Sequence, residues 1–254
     1  MIDLLLLRIP FVDSIISYTP DFVGGTIDLS ECNKRGCRLE SGDIILKPRE
    51  SSDLYNGALL AEVTNLRHPF ESLPSSWSNL AFKVRAGGKN YLPYVEIKAS
   101  PAKLLQGHNV YGSCDVNLCM GALIVAFSYA LPDMCEILDF KKAELGQIDC
   151  TFTAHLEKQS DRRNVISALK HVSNGQTKGS KSAFDTTVYF GKGSRHKKLK
   201  VYLKEFELQD QTKKAQFNFK KKQDVLSKNQ LDILTDETVM QFAKNSLRFE
   251  ASIM

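Results

Sequence analysis

Residues 186–207 read TTVYFGKGSRHKKLKVYLKEFE. Two runs in this stretch have the period of a β-strand: 186–190, and Leu199-Lys200-Val201-Tyr202-Leu203-Lys204, where apolar and polar residues alternate. A short glycine-bearing turn, Gly191-Lys192-Gly193-Ser194, separates them. Strands that follow one another so closely in sequence favour a largely antiparallel sheet. Between Lys192 and Lys204 lie six cationic side chains, Lys192, Arg195, Lys197, Lys198, Lys200 and Lys204, with His196 and no carboxylate. Tyr202 sits among them. A tyrosine in a cationic strand can stack on bases, or its phenol oxygen can attack a phosphodiester and become joined to the nucleic acid. It can equally be a half-buried strand residue beside a solvated basic turn.

The rest of the chain fills in the same architecture. Strand-like runs occur at 2–9, 24–29, 43–46, 58–63, 79–85, 91–98, 146–155, 186–190, 198–203 and 246–253. Helical periodicity falls at 115–129, with Asp115 placed to cap, at 161–172, with Asp161 as the cap, and near 224–234 and 236–243. Loops are expected at 68–74 and 173–180, and the lysine-rich stretch around 210–224 is read as a mobile basic excursion. Strands outnumber helices. The expected fold is therefore α+β, a largely antiparallel central sheet with flanking helices. No composition break marks a boundary, so residues 1–254 are read as a single domain.

Composition narrows the classes. The net charge is +5 over 254 residues, so basicity is local, at 192–204 and at Lys213, Lys214, Lys220, Lys221 and Lys222. Clustered charge of this kind suits a phosphate-facing surface, although most charge runs are only solvated. The six cysteines contain no C-x-x-C and have no histidine pair beside them, which argues against a zinc site and for free thiols in a reducing cytoplasm. The apolar start MIDLLLLRIPFVDS carries Asp3 and lacks a basic leader, so it reads as a core strand. No run approaches the length of a membrane span.

Three acids stand where a strand should be apolar: Glu96, Asp149 and Glu250. Isolated carboxylates are rarely buried unless paired or bound to a metal. Gathered on one sheet face they would make an all-oxygen site for Mg²⁺ or Mn²⁺; each could equally point outward on an amphipathic strand. His108, in a polar stretch at 104–112, is a candidate pocket residue or a turn-stabilising one.

Several blocks carry a resemblance. MIDLLLLRIPFVDS, RHPFESLP, VEIKASPAKLLQGHNVYG, IDCTFTA, VSNGQTK, SRHKKLKVYLKEFELQ and LRFEASI resemble, in order and spacing, the replication-initiation proteins of filamentous bacteriophages, the gene II product family. A looser similarity joins them to plasmid rolling-circle initiators, whose motifs look like R-x-D-x-x-x-D, Y-F-G-S-R, I-Y-D-K-x-x-E and R-x-E. Here these read Gln147-Ile148-Asp149, Tyr189-Phe190-Gly191-Lys192-Gly193-Ser194-Arg195, Val201 to Glu207, and Arg248-Phe249-Glu250. Gln147 stands where an arginine is usual, and the family continues for a further C-terminal region.

The resemblance implies a site-specific DNA nicking–joining enzyme of the rolling-circle initiator nuclease fold. Tyr202 matches the nucleophile, with Lys204 and His196 near it in sequence. Asp149 and Glu250 match metal-binding acids and Glu96 an upstream acidic position, for Mg²⁺ or Mn²⁺. Lys192, Arg195, Lys197, Lys198 and Lys200 would contact DNA. The implied partners are double-stranded origin DNA, the nicked single strand and host replication machinery, without a membrane, in the bacterial cytoplasm. The rival classes are a non-catalytic origin- or single-strand-binding protein, and a phosphoesterase with water as nucleophile.

Overall fold

The computed structural model describes residues 1–35, 45–46, 66–67, 71–73, 80–172, 185–194 and 196–254. Its centre is an eight-stranded sheet built from Ile2–Pro10 (β1), Glu71–Leu73 (β2), Leu80–Arg85 (β3), Tyr94–Ala99 (β4), Glu144–His155 (β5), Thr187–Phe190 (β6), Lys197–Leu203 (β7) and Ser246–Ile253 (β8). The spatial order is β6-β7-β8-β5-β1-β4-β3-β2, and each pairing is antiparallel. The α+β expectation holds. So does the reading of the opening leucines, because β1 lies in the middle of the sheet and is covered on both faces, which suits an almost continuous apolar run.

Helices cover both faces. On one face, Leu5, Leu7 and Ile9 of β1 lie beside Val95, Ile97 and Ala99 of β4. Helix Val116–Ala130 packs over them through Cys119, Leu123 and Phe127. The Phe82 and Phe127 rings meet edge to face at 6.2 Å. Further along the same face, helix Gln159–Leu169 sets Ile166 over Val188, Val201, Leu203 and Leu247. The opposite face receives a three-helix group, Lys204–Lys222, Val225–Leu234 and Glu237–Lys244, joined through Leu208, Ala215, Leu234, Val239 and Ala243. In chain order, with Pro101–Gln106 as α1, these helices are α2 (Val116–Ala130), α3 (Gln159–Leu169), α4 (Lys204–Lys222), α5 (Val225–Leu234) and α6 (Glu237–Lys244).

Several boundaries differ from the sequence reading. The lysine-rich stretch is not an excursion: it is the second half of α4. Leu208 and Ala215 bury one side of that helix, while Glu205 and Glu207 in its first turn and Lys220, Lys221 and Lys222 in its last complement the helix dipole. Asp161 does not cap α3, which begins at Gln159. The polar stretch 104–112 opens with the end of α1, closed by Gly107 in the left-handed conformation at φ +80°. The strand expected at 24–29 shrinks to Gly25–Thr26, because Leu29 starts a short helix. Within the loop expected at 68–74, residues 71–73 pair with β3 as the edge strand β2. The run at 58–63 and the loop at 173–180 lie outside the described residues.

Candidate active site

Strand β7 sorts its side chains by parity. Val201 and Leu203 face the hydrophobic cluster under α3, which turns Lys198, Lys200 and Tyr202 to the opposite face. Register carries that face across the sheet. Lys200 opposes Glu250 and Tyr202 opposes Arg248 on β8. Glu250 in turn opposes Thr151, and Ser252 opposes Asp149, on β5. Asp149 opposes Leu4 on β1, where the register shifts between Ile2 and Leu4. That bulge inserts Asp3 as an extra residue and brings it to the same face.

The result is a tyrosine among carboxylates. The Tyr202 hydroxyl donates to Glu250 Oε2 at 3.2 Å. Lys200 Nζ stands 3.8 Å from the centre of the Tyr202 ring and 3.9 Å from Glu250 Oε2. Tyr202 is only 3% exposed. Burial, then the charges of Glu207 and Glu250, hold its phenol well above the ordinary range. Burial also raises the Glu250 carboxyl; Lys200 opposes the shift, and the negative charges of Asp3 and Asp149 reinforce it.

Beneath the tyrosine lies a buried polar network that positions its surroundings. Strand β7 passes directly into α4, so Lys204 is that helix's first residue. Its side chain is fully buried. Lys204 Nζ donates to Asn109 Oδ1 at 3.0 Å and pairs with Glu207 Oε2 at 3.1 Å. Asn109 Nδ2 donates to Asp3 Oδ1 at 2.9 Å, and Gln211 Nε2 to Glu207 Oε1 at 2.8 Å. Arg248, also buried, donates to the carbonyls of Asn109 and Val110. Burial brings the Lys204 ammonium down to about 8. For Glu207 burial acts upward, but the Lys204 charge and hydrogen bonds from Tyr202 and Lys204 outweigh it and hold the carboxyl at about 2. His108 is buried at the edge of this network, its ring 4.5 Å from that of Tyr111. Burial and then the Lys204 charge lower its pKa.

The expected site residues divide. Tyr202, Asp149, Glu250 and Lys200 share one face and one neighbourhood, and Lys204 reaches Tyr202 through Glu207. Glu96 does not join them. It lies near the other end of the same face, opposite Arg8 and Lys83 in register, with Arg8 Nε at 3.7 Å and Arg85 at 3.1 Å from its carboxylate. Its burial is explained by those arginines. His196 precedes β7 at the end away from Tyr202 and is exposed. Lys197 and Lys198 run along β7 toward that end, and Lys192 Nζ lies 5.5 Å from the Tyr189 ring centre. Arg195 lies outside the described residues.

Asp3, Asn109, Glu207, Gln211 and Arg248 were not singled out from sequence. Asp3 could have been, since it is an acid in an apolar strand like the other three. Asn109 carried no such signal.

Among the described residues no three His, Cys, Asp or Glu side chains form a preassembled metal cage. Mg²⁺ commonly takes only one or two carboxylates and completes its shell with water and substrate phosphate. Asp149 and Glu250, on neighbouring strands in a field of like charge, fit that requirement.

The chain is similar to known proteins along its whole length. Over residues 1–254 the chain matches the family model that describes the N-terminal part of the phage replication-associated protein, the gene II product. It is 40% identical over 256 residues to the replication-associated protein of Enterobacteria phage M13, covering 100% of this chain and 60% of that protein. The protein of the same description from Salmonella phage IKe is 40% identical over 254 residues, covering 100% of this chain and 59% of the relative. The chain thus spans about 60% of the length of these curated relatives. No solved structure matches it. Matched along its whole length by one family model, and at 40% identity by two phage proteins that bear the family's description, the chain belongs to the family of the replication-associated gene II product, N-terminal part.

Proposed function

We propose that this chain is the nicking–joining part of a phage replication initiator, with Tyr202 as the nucleophile. The relatives' description supports a role in replication. The observation that carries the chemistry is the hydrogen bond from the Tyr202 hydroxyl to Glu250, on a sheet face edged by Lys198 and Lys200. A nucleophile within hydrogen-bond reach of a base is the geometry that nucleophilic catalysis needs. The same contacts disfavour a purely base-stacking tyrosine, because Lys200 already covers the ring and little of it is exposed.

Phosphates of bound DNA compete for the Lys200 ammonium and draw it off the ring, which opens the tyrosine. Glu250 takes the phenolic proton as Oη attacks the scissile phosphorus. The bond from phosphorus to the 3′ oxygen breaks, and that oxygen leaves as a 3′-hydroxyl after taking up a proton. The 5′ phosphate is left as a tyrosyl diester. No water is consumed, so the linkage retains the free energy needed for a 3′-hydroxyl to reverse the step and close a circle. Glu207 stays ionised beside Lys204 and holds the strand–helix junction; with its carboxyl at about 2 it is the poorer base. A divalent cation held by Asp149 and Glu250 would polarise the scissile phosphate and offset developing charge. The partners in this reading are origin duplex, nicked single strand and host replication proteins, within the bacterial cell. Among the described residues no helix is long and apolar enough to cross a membrane.

The test is Tyr202→Phe on supercoiled origin plasmid, followed on a denaturing gel for a DNA–protein adduct. The variant is expected to bind DNA with near-parental affinity while forming no adduct and no nicked circles. Residual activity within about tenfold corresponds to only ~1.4 kcal/mol of barrier, and would move the nucleophile elsewhere, with Tyr189 next. Nicking by the parent without an adduct would assign the attack to water, and binding without nicking would leave an origin-binding protein.

A further inference from the structure

On the same face as Tyr202, a cleft of about 670 Å³ opens between the sheet and the helices α4 and α5. Its floor is Leu4 and Lys98 and its wall is the side of α4 that carries Gln211, Lys214 and Lys222, with Lys103 of α1 at the rim. The cleft is continuous with the tyrosine network. Gln211 lines it and also holds Glu207, and Leu4 follows Asp3 at the bulge. The proposed chemistry does not use it.

Its electrostatics are one-sided. Lys98, Lys103 and Lys214 line the cleft, and none forms an ion pair with a described carboxylate, unlike Lys200, Lys204 and Lys170 elsewhere; Lys222 also lines it, and its charge acts on Asp224. The one acid on the lining, Asp224, is engaged in capping α5, accepting from the Ser227 amide at 2.7 Å. Ser100 Oγ, also on the lining, is buried without a hydrogen-bond partner. Lysines without carboxylate partners, an orphaned hydroxyl and amide side chains describe a recess built for anionic oxygen. Its volume is that of a small-ligand site and is too small for a duplex.

We propose that this cleft is a track for the sugar–phosphate backbone of single-stranded DNA beside the scissile phosphate, with Lys98, Lys103 and Lys214 as its phosphate contacts. The inference rests on the reading of Tyr202 as the nucleophile only for what the track serves: a strand fixed at both the cleft and the tyrosine places its phosphate at Oη and keeps the cut end from drifting before rejoining. Binding itself needs no chemistry.

The experiment measures binding of fluorescent oligothymidylates of increasing length, and of a duplex of the longest length, to the full chain carrying Tyr202→Phe. The comparison adds Lys98→Ala, Lys103→Ala and Lys214→Ala together. Each lost phosphate contact on a single strand removes about 0.7 from the salt slope, so the triple variant is expected to lose about 2 units with long oligomers. It should also lose most of the affinity that lengthening adds, while the shortest oligomers bind as before. Lys214→Glu alone, on the exposed side of a helix, should give the same selective loss if the triple variant does not fold. Equal weakening for short and long oligomers would reduce the cleft to a local anion site and overturn the track. So would unchanged binding, or duplex affinity falling as much as single-strand affinity. An absent adduct in the parent protein sinks the nicking reading separately, because this measurement contains no cleavage step.

Discussion

Lys204 and Glu207 form an ion pair 3.1 Å long whose ammonium is fully buried, and pH acts on the two partners with the same sign in different windows. The Glu207 carboxyl is at about 2 in the folded chain, below the 4.5 of the free side chain. Its stabilising contribution is therefore complete above about 4.5 and is lost as pH falls toward 2. Lys204 is lowered to about 8 from 10.5, so between those values the unfolded chain binds more protons and this residue's contribution favours the fold increasingly as pH rises. Urea unfolding across acidic pH is expected to show stability falling between about 4.5 and 2, with Glu207→Gln flattening that fall. If the variant keeps the parent's acid slope, the carboxylate is not held as the geometry indicates. The same residue explains why two acids near one phenol have different uses. Glu207 is pinned by an ammonium, whereas Glu250 is pushed upward by burial and by Asp3 and Asp149 and remains able to take a proton.

Among the elements, the junction of β7 and α4 matters most. Leu203 ends the strand and Lys204 begins the helix with no loop between them, so the tyrosine and Glu207 move as one unit. The caps show how local chemistry sets other boundaries. Asp115 accepts from the amides of Asn117 and Leu118 at 2.9 and 3.2 Å, and Asp236 accepts from Val239 at 3.1 Å. Helix α2 roofs the main hydrophobic cluster, so Asp115→Ala is expected to lower global stability by about 1 kcal/mol, read as a shift in urea midpoint at unchanged slope. A change of slope instead would show that the helix end frays separately from the sheet. Helix α4 was hidden from sequence because its charged surface looks like a solvated run. What makes it a helix is the burial of Leu208 and Ala215 against neighbouring helices, and periodicity weakened by lysines does not display that.

At the scale of the molecule, a net charge of +5 is modest, and DNA attraction must come from where the charge lies. Lys198 and Lys200 share the Tyr202 face, and Lys197 is exposed at the start of β7. Replacing Lys197, Lys198 and Lys200 with alanine is expected to weaken origin and unrelated duplex alike, and to reduce the salt slope by roughly 1 unit per lost contact. A loss confined to origin DNA, seen in parallel titrations, would mean that these residues read bases or shape instead. By itself the sequence determined the antiparallel α+β class, the core-strand character of the opening leucines, the cap at Asp115, and the family motif around Tyr202. Alternation, capping and turn chemistry are local, and a chain displays them without folding. Only the tertiary structure decided which acids meet. Glu96, Asp149 and Glu250 look alike in sequence, each an acid amid apolar strand neighbours. Strand order and register put Glu250 beside the tyrosine, Asp149 on the next strand near Glu250, and Glu96 among arginines, while a bulge supplied Asp3 and a loop supplied Asn109. Register joins residues far apart in the chain, and no local pattern encodes which strand will lie beside which.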